Sequence, residues 1–260
     1  MSALRVSIVT PSRNQGEYLA ECLDSVKSSL SPLEHLVIDG ASTDSTKELL
    51  ATTHKGPWIS EPDRGQTDAV NKGLAMASGD ILSYLCADDF LEAGALDVVI
   101  AAFDENPAAD IVYGDGYFLE GNSGWKRPKT AGVFTYARLR RGNFLIQPAV
   151  FFRRRVYEQF GPLNTNLHFC MDHEYWLRIG EKSHWHYLEK PLATCRLHAD
   201  AKTSSQLATA WDEARDMQRA YGIIFRPTRD ALWMRTVGHH YYRLKRQIFA
   251  RIGRRKFAAP

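Results

Sequence analysis

The chain has 260 residues, of which 44% are hydrophobic and 24% charged, and its formal net charge is +3. This composition is typical of a globular protein with one sizeable core and excludes a collagen-like or intrinsically disordered chain. The four cysteines form no C-x-x-C pair, which argues against a zinc ribbon and favours reduced thiols. The N-terminal apolar run is too short for a signal peptide or a membrane span, so we expect a cytoplasmic protein.

Short apolar runs alternate with amphipathic segments in the first part of the chain. The predicted strands are 5–10, 35–38, 58–59, 81–85 and 110–113, and the predicted helices are 18–26, 46–50, 68–77 and 92–104. Pro11 predicts the end of the first strand, and residues 42–44 predict the N-cap of the second helix. The alternation predicts an α/β fold with a mostly parallel sheet flanked by helices.

The second part of the chain is less regular. A strand is predicted at 149–152, a helix at 172–179 and a strand at 184–188. A further apolar stripe between residues 207 and 221 has helical spacing, which is more typical of a core-facing helix than of a cofactor site. We therefore predict one domain at 1–204, whose regular part ends near residue 115, and a basic helical extension at 205–260.

Polar residues follow three of the predicted strands, at 10–12, 39–40 and 88–89. Ligands of parallel α/β sheets bind outside the carboxyl ends of the strands, so these residues predict one site. The adjacent carboxylates of Asp88 and Asp89 repel each other, and a divalent cation would remove that cost. An Asp-rich turn without a metal is the alternative. The chain lacks both glycine-rich phosphate motifs, which favours a metal as the partner of a bound diphosphate.

Two further signals are weaker when each is taken alone. Asp172 and Glu174 begin a predicted helix, where they indicate either a general base or an N-cap with an acidic first turn. His198 indicates either a ligand that completes the metal site or a structural histidine.

The order of these segments resembles that of the family 2 glycosyltransferases, which have the GT-A fold. The segments that carry the resemblance are 9–14, 39–46, 61–73, 79–89, 147–154 and 172–178. One departure is Cys86, which stands where many members have an additional Asp, and a hard cation prefers oxygen to a thiol.

The resemblance implies that 1–204 is a glycosyltransferase domain with a nucleotide-sugar-binding half at 1–115 and an acceptor half at 116–204. It also implies a role for each matching position. It assigns nucleotide-sugar binding to Thr10, Pro11, Asp39, Arg64, Asp68 and Asp88. It assigns Mn²⁺ or Mg²⁺ binding to Asp89 with His198, and proton removal to Asp172. Gln147, Trp176 and Arg178 are the candidate acceptor residues in the irregular half.

The expected reaction is transfer of a sugar from a nucleotide-sugar donor to a saccharide or lipid-linked acceptor. One base and one metal imply a single displacement that inverts the anomeric carbon. By analogy with the family, we expect a role in bacterial surface polysaccharide or lipopolysaccharide synthesis. A sugar nucleotidyltransferase and a non-enzymatic membrane- or nucleic-acid-binding adaptor are the alternatives.

The C-terminal segment is basic and amphipathic. After Asp230 the chain has eight Lys and Arg residues and no acidic residue. Apolar residues recur there at helical spacing, at positions 237, 241, 244, 248 and 252. Residues 235–256 therefore predict a peripheral contact with an anionic membrane on the cytoplasmic side, with no nucleic acid as partner. A helix packed on the catalytic domain is the alternative.

Overall fold

A computed structural model describes residues 4–27, 33–120, 124–198 and 206–224. The strands are β1 (Val6–Ser12), β2 (Leu33–Asp39), β3 (Trp58–Ser60), β4 (Ile81–Tyr84), β5 (Phe90–Leu91), β6 (Ile111–Glu120), β7 (Lys126–Lys129), β8 (Val150–Arg153) and β9 (Trp185–Leu197). The helices are α1 (Gly16–Lys27), α2 (Thr46–Thr53), α3 (Gln66–Met76), α4 (Ala95–Glu105), α5 (Tyr136–Arg141), α6 (Arg154–Phe160), α7 (Met171–Gly180) and α8 (Leu207–Ala220), with a 3-10 turn at Gln147–Ala149. The amphipathic segment 235–256 lies outside the described residues and stays a prediction.

These strands join in one mixed sheet with the order β3-β2-β1-β4-β8-β6-β9-β5, and β7 pairs with β6. The first four strands are parallel, as predicted from the alternation of strands and helices. Strand β8 runs antiparallel between β4 and β6, while β9 runs parallel to β6. Strand β8, from the second part of the chain, is thus inserted between β4 and β6, and the two parts of the chain interleave in the sheet.

Helices cover both faces of the parallel strands. On one face, Val9 packs in the same cluster as Ala69 and Leu74 of α3. On the other face, Ile8 packs with Cys22 of α1 and with residues of α4. Alternate residues of a strand point to opposite faces, so β1, which is buried at every position, is apolar on both sides.

The structure corrects the predicted end of the first strand. Strand β1 continues through Pro11 to Ser12, and Pro11 lies opposite Ile38 of β2. Gly40 N donates to Ser12 O on the β2 side, and Leu85 N donates to Val9 O on the β4 side. The backbone nitrogen of Pro11 therefore points to the β4 side, where β4 has already ended at Tyr84. Because no strand lies there to accept a hydrogen bond, the missing N–H of proline removes no bond between strands.

Other predicted ends of helices and strands also differ from those in the structure. Helix α4 begins at Ala95 rather than at residue 92, and the predicted strand at 184–188 extends to Leu197 because it pairs with β6 along its length. The N-cap residue of α2 is Ser45, whose side chain makes no capping bond, and Asp44 Oδ1 instead accepts from Thr46 N at 3.0 Å. Pairing with a distant strand cannot be read from a short window of sequence.

The predicted helix at residues 207–221 is present as α8. Ala210 and Met217 are buried, and Tyr221 packs against the main core cluster, as expected for a core-facing stripe. Strand β6 crosses the predicted division at residue 115, so the two halves share one sheet. No helix in the described ranges is long and apolar enough to cross a bilayer.

The close packing of α3 on β1 can be tested at Gly73. A Cβ at this position would collide with Cγ1 of Val9. We expect Gly73→Ala to lower the free energy of unfolding by about 1–3 kcal/mol, because overpacking outweighs the better helix propensity of alanine. Chemical denaturation measures this change. Removal of the opposing side chain in Val9→Ala/Gly73→Ala should give a smaller loss than the sum of the two single changes, and strict additivity would contradict the proposed collision.

Candidate active site

A cavity of about 440 Å³ lies at the carboxyl ends of β1 and β4. Its walls come from the loop after β4, the start of α3, the 3-10 turn before β8, the start of α7 and the end of β9. The lining side chains include Pro11, Ser12, Gln66, Cys86, Asp88, Asp89, Gln147, Asp172 and Arg196. Two of the three predicted polar clusters, at the ends of β1 and β4, thus contribute to one cavity, whereas residues 39 and 40 are not among its lining residues.

Asp88 and Asp89 lie in the loop between β4 and β5. Asp89 is buried, and its Oδ1 accepts from the backbone N–H of Arg196 at 2.9 Å. Asp88 Oδ2 lies 3.0 Å from Nε2 of His198. Burial, and then the neighbouring charge of Asp88, raise the pKa of Asp89 well above the ordinary value for Asp. A bound cation would oppose both effects, so the pair is electrostatically suited to one.

The residues around this pair fit a divalent metal. The Cys86 thiol and one carboxylate oxygen each of Asp88 and Asp89 all lie within 4.8 Å of one another. Carboxylate oxygens are the ligands that Mn²⁺ and Mg²⁺ prefer. The cluster therefore contains the predicted metal residue Asp89, with Asp88 beside it.

His198 lies beside this cluster rather than within it. Its Nε2 contacts Asp88, and its ring lies 4.7 Å from the ring of Tyr18. Its buried Nδ1 has no hydrogen-bond partner among the described residues. The sequence predicted His198 as a direct metal ligand. The structure brings it into contact with Asp88, and its role as a ligand stays a prediction.

Cys86 occupies the position at which many family members have an additional Asp. Gln66 Nε2 donates to its Sγ at 3.0 Å. Burial raises the pKa of the Cys86 thiol well above its ordinary value, and the charges of Asp89 and Asp88 raise it further. The thiol therefore adds no charge to the cluster at neutral pH.

Asp172 lines another wall of the cavity, in the first turn of α7. The N-cap residue of this helix is Cys170, so the structure contradicts the alternative in which Asp172 is the cap. Asn143 Nδ2 donates to Asp172 Oδ2 at 2.8 Å. Burial raises the pKa of Asp172, although the hydrogen bond from Asn143 opposes the shift. A carboxylate with a raised pKa that lines a cavity is suited to proton removal.

Glu174, two residues further along, has a different role. Its carboxylate pairs with Arg178 at 3.0 Å and accepts from the hydroxyl of Tyr221 at 2.6 Å. It does not line the cavity. The acidic pair that the sequence placed at the start of this helix is therefore divided between the cavity wall and an internal network.

Among the predicted nucleotide-binding residues, Pro11 and Asp88 line the cavity. Thr10 is buried, and its Oγ1 lies 2.8 Å from His35 Nε2. Asp39 accepts from Ser42 N at 3.0 Å and from Ser60 Oγ at 2.6 Å, which fixes the turn after β2.

Arg64 and Asp68 form an ion pair at 2.9 Å at the start of α3. Neither side chain lines the cavity, although the intervening Gly65 and Gln66 do. The structure thus brings Pro11 and Asp88 of the predicted nucleotide set into the wall, while Thr10, Asp39, Arg64 and Asp68 are not among the lining residues.

The three candidate acceptor residues separate in the structure. Gln147 lines the cavity, and its Nε2 donates to Tyr84 O at 2.6 Å. Trp176 is 1% exposed and packs in the aromatic core with Phe152 and Tyr175. Arg178 donates to Glu174 and to the carbonyl oxygen of Pro162 at 2.9 Å. These contacts place Trp176 and Arg178 in the core and in an internal network, away from the cavity lining.

Two residues with site contacts carried no functional signal in the sequence. Arg196 donates through its backbone to Asp89, and its Nε lies 3.3 Å from Asp88 O. Its guanidinium also pairs with Glu21 of α1. Asn143 lies in a loop after α5, and only the fold brings it to Asp172.

Comparison with known proteins identifies the family. The model of "Glycosyl transferase family 2" matches residues 7–178, which is more than half of the chain. A "PGL/p-HBAD biosynthesis glycosyltransferase" of Mycobacterium bovis (strain BCG / Pasteur 1173P2) is 32% identical over 185 residues, covering 68% of this chain and 70% of that protein. These matches support neither the nucleotidyltransferase nor the adaptor alternative.

Solved structures show the same fold. S. aureus TarS 1-349 in complex with UDP-GlcNAc has a TM-score of 0.64 and 17% identity, over 82% of this chain. This chain spans 65% of that TarS chain, less than two thirds of its length. The mannosyltransferase PcManGT from Pyrobaculum calidifontis, in complex with GDP-Man and Mn2+, has a TM-score of 0.62 and 16% identity, over 99% of this chain and 76% of that one.

The order of the motifs, the mixed sheet with its cavity, and these matches agree with one another. The chain belongs to the family 2 glycosyltransferases and has the GT-A fold.

Proposed function

We propose that the chain transfers a sugar from a nucleotide-diphosphate sugar to an acceptor hydroxyl, with inversion at the anomeric carbon and with a divalent cation. The observation that carries this proposal is that Asp172 and the pair Asp88 and Asp89 line one cavity. A sugar hydroxyl is a poor nucleophile near neutral pH, so a carboxylate must accept its proton. Asp172 lines the same cavity as the aspartate pair, and among the described residues it forms no salt bridge with Lys, Arg or His.

In the proposed displacement each bond and the transferred proton can be followed. The acceptor oxygen forms a bond to the anomeric carbon, the bond from that carbon to the diphosphate oxygen breaks, and the hydroxyl proton passes to Asp172. Asn143 holds one oxygen of Asp172 during this transfer. Asp89 and Asp88 would hold Mn²⁺ or Mg²⁺, and the bound cation would compensate the charge of the diphosphate. His198 and the backbone of Arg196 keep the two carboxylates in place.

The similar proteins support the proposed classes of donor and acceptor. TarS was solved with UDP-GlcNAc and PcManGT with GDP-Man and Mn2+, which supports a nucleotide-sugar donor. The mycobacterial relative is named for PGL/p-HBAD biosynthesis. We therefore propose a saccharide or lipid-linked acceptor and a role in bacterial surface glycan synthesis. Incubation with UDP-, dTDP- and GDP-sugars, followed by assay of released nucleotide, identifies the donor.

The metal assignment predicts a change in thermal stability as well as in turnover. With nucleotide present, we expect added Mn²⁺ to raise the Tm of the wild type more than that of Asp89→Asn, because the variant loses one of the two proposed carboxylate ligands. A cation at 100 times its Kd would contribute about 2.7 kcal/mol. The side-chain oxygen of asparagine can still accept from Arg196, so the variant should fold. Differential scanning fluorimetry measures the shift.

The pKa of Asp89 also predicts how the metal-free variant and the metal-free wild type differ in stability. The pKa of Asp89 is raised in the folded protein, so its ionisation removes stability as pH rises through that raised pKa. Metal-free Asp89→Asn should therefore be at least as stable as the wild type at neutral pH. Asp104→Asn, an exposed carboxylate on α4, is the matched control. A variant that retains both the Mn²⁺ shift and wild-type turnover would refute the metal site.

The base assignment predicts that Asp172→Asn leaves donor binding nearly intact and lowers the transfer rate about 10²–10⁴-fold. Donor affinity by calorimetry and single-turnover transfer separate the two effects. Glu181→Gln, an exposed carboxylate at the other end of α7, is the control and should behave as the wild type. An equal loss of donor affinity would indicate a structural role instead, and retention at the anomeric carbon by NMR would contradict the single displacement.

The pH profile provides a second check of Asp172. Its pKa is raised by burial, so activity should fall as pH decreases through a value above the ordinary Asp pKa of about 3.9. The bond from Asn143 lowers this pKa, so Asn143→Ala should move the acidic limb to higher pH.

The basic segment 235–256 supports a peripheral membrane contact, because cations near an anionic surface contribute about 1 kcal/mol each. We expect the full chain to sediment with anionic liposomes at low salt, and a chain truncated after Asp230 to stay in the supernatant while it retains donor hydrolysis. Neutral liposomes are the control. A full chain that does not sediment, or a truncation that unfolds, would favour packing of this segment on the catalytic domain.

A further inference from the structure

Glu213 of α8 accepts hydrogen bonds from three successive backbone amides. His168 N lies 2.8 Å, Phe169 N 2.6 Å and Cys170 N 2.9 Å from its carboxylate oxygens. Burial alone would raise the pKa of Glu213, but these hydrogen bonds outweigh it and lower the pKa. The carboxylate is therefore ionised, and each of the three bonds is charge-assisted.

The three amides lie directly before α7. The N-cap residue of this helix, Cys170, makes no side-chain capping hydrogen bond. The N-terminus of a helix carries a partial positive charge and unpaired N–H groups, both of which favour a nearby anion. Glu213 supplies that anion from a different helix, so α8 determines how the chain enters α7.

The segment held by Glu213 is a wall of the cavity. His168, Phe169, Met171 and Asp172 all line it. From the opposite side, Thr67 Oγ1 of α3 donates to Leu167 O at 2.7 Å. The segment is therefore fixed between α3, which begins at the nucleotide side of the cavity, and α8.

A second contact joins α8 to α7 further along. The hydroxyl of Tyr221 donates to Glu174 Oε1 at 2.6 Å, and Arg140 Nη1 donates to Tyr221 O at 3.3 Å. Two separate attachments prevent α8 from sliding along α7. Both Glu213 and Tyr221 lie beyond residues 7–178, the part of the chain that the family model matches.

We propose that Glu213 is a positioning residue for glycosyl transfer, which holds residues 168–170 and thereby the first turn of α7 with Asp172. This inference rests on the proposed role of Asp172 as the base. Loss of the carboxylate would leave three N–H groups without their acceptor, and the segment would then relax. A displacement of about 1 Å at a reacting group can lower the rate about 10²-fold, so the effect should appear in kcat.

Glu213→Gln tests the proposal with little change of shape. It removes the charge and turns one acceptor oxygen into a donor that faces backbone N–H groups. We expect kcat for transfer to fall about 10- to 100-fold while the KM for the donor changes little. Asp216→Asn is the matched control, because Asp216 lies on the same helix and pairs with Arg215 and Arg219 within it. The control should retain the wild-type kcat.

Two readouts distinguish positioning from a general loss of stability. Hydrogen exchange, followed on peptides that cover residues 166–172, should become faster in Glu213→Gln than in Asp216→Asn. In a double-mutant cycle, Glu213→Gln should have little further effect once Asp172→Asn is present, because residues that act as a unit are not additive. If Glu213→Gln does not fold, Glu213→Asp, which keeps the charge on a shorter side chain, carries the same measurements.

The possible results separate the two proposals. Unchanged exchange at residues 166–172, an unchanged kcat, or a full multiplicative effect in the Asp172→Asn background would each overturn the role of Glu213. A wild-type transfer rate in Asp172→Asn alone would overturn the assignment of the base, whatever the Glu213 variants do. Faster exchange, a lower kcat and a non-additive cycle together support the positioning role.

Discussion

The repulsion between Asp88 and Asp89 is the constraint on which the site depends. Burial and adjacency both raise the pKa of Asp89, so the loop after β4 needs partners that hold the pair in place. The backbone of Arg196 and the ring of His198 supply them, and both belong to the end of β9 or follow it. Strand β5, directly after Asp89, pairs with β9 and fixes this arrangement. The two carboxylates therefore have these hydrogen-bond partners only when β9 is paired in the sheet.

The direction of the strands explains why the remaining site residues converge. Four parallel strands end at one edge of the sheet, where β4 leads into the two aspartates. Strand β8 runs antiparallel to β4, so its beginning lies at the edge where β4 ends. This places Gln147, just before β8, against the carbonyl of Tyr84. The direction of β8 thus brings part of the irregular second half of the chain to the edge where the parallel strands end.

Residues outside the segment matched by the family model also contact the cavity wall. Residues 7–178 match the family model, but Arg196 and His198 contact the aspartate pair, and Glu213 holds the segment before α7. The helix that carries Glu213 packs in the main core through Met217. The contacts of the cavity wall therefore extend at least through α8, which touches the segment before α7.

By itself, the sequence determined the mostly parallel α/β architecture, the family and the position of the aspartate pair at the end of β4, because apolar periodicity, turn residues and motif order are local patterns. The tertiary structure alone decided which neighbours act on those residues. Pro11 continues its strand because β4 has ended beside it, and Trp176 and Arg178 belong to the core and an internal network despite their motif. Asn143 meets Asp172, and Glu213 meets residues 168–170, across long separations in the chain. Contacts of that kind arise from packing and leave no local pattern to read.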